Sequence, residues 1–181
     1  MIDPALGSLL IVGLALLFAT AAFHKLRDLG HFALVLAAYR VIPDGPARRL
    51  AWSIPCAELA VALALPWPPA RRWAALAAAA LLIVYAAGMS LNLARNRRDL
   101  DCGCTAAGRR RPIAAWMVWR NLLLALASMA AALPWIPRAL AGADFLTVAG
   151  AAAAGAALYA ALDRLLGDVA PRAALLTRGA P

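Results

Sequence analysis

Residues 5–23 read ALGSLLIVGLALLFATAAF, nineteen positions without one charge. As a helix rising about 1.5 Å per residue, such a run approaches the roughly 30 Å thickness of a bilayer's hydrocarbon core. In lipid every backbone N–H and C=O must be satisfied within the segment, so a run of this kind is helical. Asp3 and the amino terminus precede it with no basic cluster between, so it reads as a retained first membrane span and not as a cleaved leader.

Working outward, the same composition recurs. Residues 50–67, 73–93, 113–133 and 145–162 form four further apolar runs, and 65% of the 181 residues are hydrophobic. Residues 29–42 are shorter and carry His31 and Arg40, which suits an interfacial or re-entrant helix better than a span. Pro66, Pro68 and Pro69 end the second run sharply. The last run is rich in Ala and Gly from 150 to 155, and small side chains let helix backbones approach one another. The expected fold is therefore all-α: a polytopic membrane bundle of four to five transmembrane helices plus a short interfacial helix, in one domain over 1–181.

A net charge of +9 suggests nucleic acid in a soluble chain, but here the basic residues lie between apolar runs, which is a topology signal and gives no reason to expect a nucleic-acid partner. With five spans, Lys25, Arg27, Arg40, Arg48 and Arg49 share a side with Arg95, Arg97, Arg98, Arg109, Arg110 and Arg111 and with Arg164, Arg172 and Arg178. The other side holds Arg71, Arg72 and Arg138. The positive-inside rule then puts the rich side, with the loop 94–112, in the cytoplasm of a cell whose inner membrane holds the chain.

That loop contains Cys102-Gly103-Cys104, the clearest reactive chemistry on the chain. Glycine tolerates the backbone angles needed to close a disulfide across one residue, and the resulting small ring is strained. Strain raises the reduction potential, so the oxidised pair reads as a labile electron acceptor, and Cys102 and Cys104 are the candidate catalytic residues of a thiol–disulfide oxidoreductase. Two other readings stand beside it. The thiolates are soft ligands for copper or zinc, with Cys56 or His24 as a third donor, although no spacing of a closed zinc site is present. Alternatively the loop is a non-catalytic anchor for a partner. Neither a resident metal nor a cofactor is expected.

Cys56 is a candidate electron relay or a small packing residue. Glu58 lies within an apolar span, where a carboxylate needs a partner or a proton-handling role. Arg120 enters the fourth run to a similar depth from the same face, so the expectation is an intramembrane pair between Glu58 and Arg120, directly or through Asn121. Glu58 and Cys56 are about 200° apart on a helix and cannot serve one site. His24 and Lys25 close the first run and read as an interfacial anchor or as a proton-handling pair.

Five patches in order carry a resemblance: Phe23-His24-Lys25-Leu26-Arg27-Asp28, Tyr39-Arg40-Val41-Ile42-Pro43, Pro55-Cys56-Ala57-Glu58, Cys102-Gly103-Cys104 and Arg120-Asn121. Together, over about residues 5–133, the chain resembles the MauE family, which is related to DoxX-like redox-associated membrane proteins. The resemblance implies redox roles for Cys102 and Cys104, and places Lys25, Glu58, Arg120 and Asn121 in the family pattern. It also implies a thioredoxin-like partner and a client acquiring disulfides, methylamine dehydrogenase in the founding case. Where family members often continue with Phe-Gly, this chain has Thr105-Ala106.

Overall fold

The computed structural model describes residues 1–40, 44–101 and 112–178, without the side chains of 44–48, 163 and 166–178. Six helices follow one another among the described residues: α1 (Pro4–Arg27), α2 (Leu29–Ala38), α3 (Asp44–Ala64), α4 (Arg71–Ala94), α5 (Ala115–Ala131) and α6 (Gly142–Arg178). Among the described residues the β contacts are two isolated bridges. Three helical stretches among the described residues are long and apolar enough to cross a bilayer: Pro4–Arg27, Arg71–Ala94 and Gly142–Leu162. The chain is an all-α bundle of membrane type.

Local chemistry explains the boundaries. Asp3 caps α1 by accepting from the Ala5 N–H at 2.8 Å, and Pro4 begins the helix where its missing N–H costs nothing. His24, Lys25 and Arg27 occupy the last turn of α1, the end that favours cations. Asp28 then ends α1 and caps α2, its carboxylate accepting from the His31 N–H at 2.9 Å. One residue thus turns the chain back beside its own helix. The short segment at 29–42 is helical over 29–38 and packs on α1 and α3 with Phe32 and Val35 buried.

The run expected at 50–67 starts earlier, as α3, and stops at Ala64 ahead of Pro66. The run expected at 145–162 continues much further, since α6 covers 37 residues. Apolarity ends near Leu162, but Leu, Ala and Arg beyond it are good helix formers, so hydropathy marked the membrane stretch and not the helix.

α1 is the centre, touching α2, α3, α5 and α6, while α4 joins α3 to α5. Ile11, Leu14 and Phe18 of α1 share one core cluster with Val61 and Leu65 from the α3 side and Ala74, Ala75, Ala78 and Leu82 of α4. The buried alanines give this face of α4 a small profile, which matters in lipid because packing contacts replace the hydrophobic effect as the cohesive force.

The amino terminus is stitched to the segment after α5. Ile2 donates to the Pro134 carbonyl at 3.0 Å and accepts from Ile136 at 2.9 Å. Arg138 bridges Asp3 at 2.8 Å and Asp144 at 2.7 Å. Its guanidinium holds the Asp3 carboxyl below the ordinary 3.8, first by hydrogen bonding. A carboxyl depressed in the folded state stabilises above its unfolded pKa and loses that contribution as pH falls through the folded value. Arg138→Gln is therefore expected to lower the melting temperature at neutral pH, with the difference from wild type shrinking once the pH drops below 3.8. A difference independent of pH would contradict this.

Gly7 faces Trp135, where a Cβ would lie 2.5 Å from the indole. Trp135 is itself fixed by Arg71, whose guanidinium sits 3.5 Å from a ring centroid. Gly7→Ala is expected to cost about 1–3 kcal/mol, the usual range for overpacking, read by thermal unfolding in detergent. A shift within error would show that Trp135 moves aside freely.

Candidate functional site

Lys25 is the last-turn residue of α1 that points inward, and in place of an interfacial anchor it forms a buried ion pair with Glu58 of α3. Their side chains are 4% and 1% exposed, so both charges have left water and lipid alike. Tyr85 of α4 donates its hydroxyl to the same carboxylate oxygen, Oε1, at 2.7 Å. Three helices therefore converge on one atom. The Lys25 ammonium also lies 4.9 Å from the Tyr85 ring centroid and 5.4 Å from that of Phe32, close enough for cation–π attraction. Glu58 Oε2 is buried with no hydrogen-bond partner among the described residues. Such an arrangement fixes a charged pair in an apolar interior and leaves one carboxylate oxygen without a donor among the described residues.

Beside this cluster a cavity of about 450 Å³ opens between α1, α2, α3 and α4, with Lys25, Tyr39 and Tyr85 among otherwise mostly apolar walls. α2 forms one side of it through Phe32, Val35 and Leu36.

The neck of the cysteine loop is attached to the same helix. His31 Nε2 lies 3.6 Å from Asp101 Oδ2, and Arg97 donates to the Ala38 carbonyl at 2.8 Å. Arg97 also binds Asn92 Oδ1 at 3.1 Å, while Asn92, fully buried, donates to the Gly88 carbonyl. Asp101 bridges Pro112, with the Ile113 N–H on the Leu100 carbonyl at 3.0 Å. The two residues flanking 102–111 are thus held side by side, and the adjacent Leu100 and Ile113 share an apolar cluster with Tyr85. Cys102 and Cys104 themselves lie outside the described residues.

The expected pair of Glu58 with Arg120 is corrected. Glu58 is held by Lys25 and Tyr85, whereas Arg120 stacks 5.2 Å from the Trp116 ring and 5.8 Å from that of Tyr159 on α6. Asn121 is buried and donates to the Met117 carbonyl at 3.1 Å, one turn back on its own helix. Depth matched the two charges along the membrane normal, but α3 packs on α1, α2 and α4 while α5 packs on α4 and α1. Cys56 is exposed and faces away from Glu58, as the angular separation requires. His24 is partly exposed and stands edge-on to Phe23 at 6.1 Å. Among the described residues no group of three or more His, Cys, Asp or Glu is arranged to hold a metal.

Tyr85 and Asn92 escaped sequence reading, and Arg97 was read only as a topology charge. A signal existed: with Ser90, Tyr85 and Asn92 are the polar side chains of an apolar run, and these two stand seven apart, two turns on one face of α4. Tyr85 reads as a belt aromatic until its depth is known.

Fold and site define an all-α, multi-pass membrane protein with a buried Lys–Glu–Tyr cluster. Residues 3–136 match the family model described as methylamine utilisation protein MauE. The chain belongs to the MauE family. It is 42% identical over 132 residues to "Methylamine utilization protein MauE" of Paracoccus denitrificans, covering 73% of this chain and 71% of that one. The protein of the same name from Methylorubrum extorquens is 35% identical over 154 residues, 84% of this chain and 82% of the relative. That from Methylophilus methylotrophus is 33% identical over 173 residues, 91% and 88% respectively. No solved structure matches the chain.

Proposed function

We propose that the protein is a membrane thiol–disulfide carrier, exchanging electrons through Cys102 and Cys104 with a thioredoxin-like partner that supports maturation of a client such as methylamine dehydrogenase. The observation that supports this best is the continuous MauE match over residues 3–136, which includes the Cys-Gly-Cys pair. In the exchange, a partner thiolate attacks the Cys102–Cys104 disulfide and forms a mixed disulfide. A second partner thiolate resolves it, leaving the partner oxidised and the loop as a dithiol. Two electrons and two protons have moved. The reverse sequence reduces the partner.

In this reading α3 and α5 also cross the inner membrane, giving five crossings with the loop in the cytoplasm, on the side richest in Lys and Arg. A membrane-impermeant maleimide should then label the loop cysteines only after permeabilisation. Labelling in intact cells reverses the orientation.

The partner is tested by trapping. Cys104→Ala keeping Cys102, and then the reverse, should leave one variant joined to a thioredoxin-fold protein through a bond that reductant cleaves. Capture through Cys56 alone, or by neither variant, would contradict the mechanism.

A further inference from the structure

We infer that the cavity between α1, α2, α3 and α4 binds a lipid-soluble para-quinone, with one ring carbonyl accepting a hydrogen bond from Lys25. The inference rests on the thiol reading for its source of electrons, while binding itself does not. The cavity volume of about 450 Å³ falls within the roughly 300–1,000 Å³ of small-molecule sites. Its body is made by Phe32, Val35, Ile54 and Met89, which suits a flat apolar ring. Val84 and Leu91, also in its lining, are 63% and 39% exposed, so one wall runs into the bundle's outer apolar surface, where an alkyl or isoprenoid tail belongs.

The polar end selects the chemistry of the head. An ammonium has three donors, and Glu58 is the one hydrogen-bond acceptor of Lys25 among the described residues. Donors therefore remain for a guest. The positive charge is already matched by Glu58, so the pair offers a guest the remaining donors of Lys25 and no net charge. A neutral acceptor fits where a fatty-acid carboxylate does not. A quinone also meets a chemical need, because a dithiol reoxidised at a membrane requires a two-electron, two-proton acceptor. In the step, the two S–H bonds of Cys102 and Cys104 break and the S–S bond forms. Both electrons and both protons pass to the quinone, whose carbonyl oxygens become the hydroxyls of the quinol. The loop neck and the cavity share α2, through His31 and Ala38 on one side and Phe32 and Val35 on the other.

The test measures binding of decylubiquinone to the full chain in nanodiscs, against empty nanodiscs. Saturable binding of one molecule per chain is expected. Lys25→Gln should weaken it about tenfold, as for a lost buried hydrogen bond to a charged donor, and Val35→Trp should abolish it by filling the cavity, while Leu146→Ala on exposed α6 leaves it unchanged. Should Val35→Trp fail to fold, Gly88→Leu serves, since a Cβ there is tolerated 3.7 Å from the Tyr39 ring and the longer side chain enters the cavity. No saturable binding, binding indifferent to Lys25→Gln and to filling, or equal displacement by 1-decanol would overturn the inference, the last marking an acyl-chain groove. The double variant Cys102→Ser with Cys104→Ser should bind normally and form no quinol from added dithiol partner. Binding without thiol-dependent quinol in the wild type would sink the thiol reading and spare the site. Partner exchange without quinone binding would do the opposite.

Discussion

Glu58→Gln is expected to lower stability by about 3–5 kcal/mol, because it leaves the Lys25 ammonium buried without its counter-charge. Lys25→Met should cost a similar amount, since the carboxylate then keeps Tyr85 as its partner at 2.7 Å and no cation. The informative variant is the double, Lys25→Met with Glu58→Gln. Removing both charges of a buried pair is often close to neutral, so the double should be far more stable than the sum of the singles implies. Thermal unfolding in detergent or nanodiscs reads all three. Additive losses, or single variants within about 0.5 kcal/mol of wild type, would show that the pair does not hold α1 to α3. The same double variant separates a clasp from a working site. A stable but inactive protein would assign the charges to the chemistry, whereas a stable and active one would leave them structural.

The second large effect concerns the loop. Cys102→Ser and Cys104→Ser, singly, should each reduce client maturation to the background of a strain lacking the protein, because neither half of a dithiol can complete a two-electron exchange alone. Cys56→Ala should leave maturation intact unless the relay reading of this exposed cysteine holds, in which case it falls with the others. An effect of Cys56→Ala alone, with the loop pair dispensable, would move the chemistry to α3. If the loop were merely an anchor, the double Cys102→Ser, Cys104→Ser variant would retain full function.

Much of the architecture was legible because lipid imposes one solution on an apolar run. The stretch 5–23 became α1 with Asp3 and Pro4 at its start, and 73–93 became α4 almost to the residue. Where helices outlast their apolar part, as α6 does, hydropathy stops before the backbone does. For the site, sequence located Glu58 as a charge needing a partner, and chose the wrong one. Spacing gives depth along a helix and angle around it, but not which helices are neighbours. Lys25 looked like a residue for the interface because it ends a run. The corner at Asp28 lays α2 back against α1 and α3, and Phe32 then covers the ammonium that would otherwise reach water. Tyr85 remained unseen for the same reason, as its role depends on a partner 27 positions away.

The most direct measurement is the redox state of Cys102 and Cys104 in living cells, read in a Cys56→Ala background by the mass added on acid quench and alkylation. Both the dithiol and the disulfide should be populated, shifting towards disulfide on brief oxidant treatment and back towards dithiol with mild reductant. A pair found permanently bridged, or thiols that ignore both treatments, would contradict electron exchange through this loop.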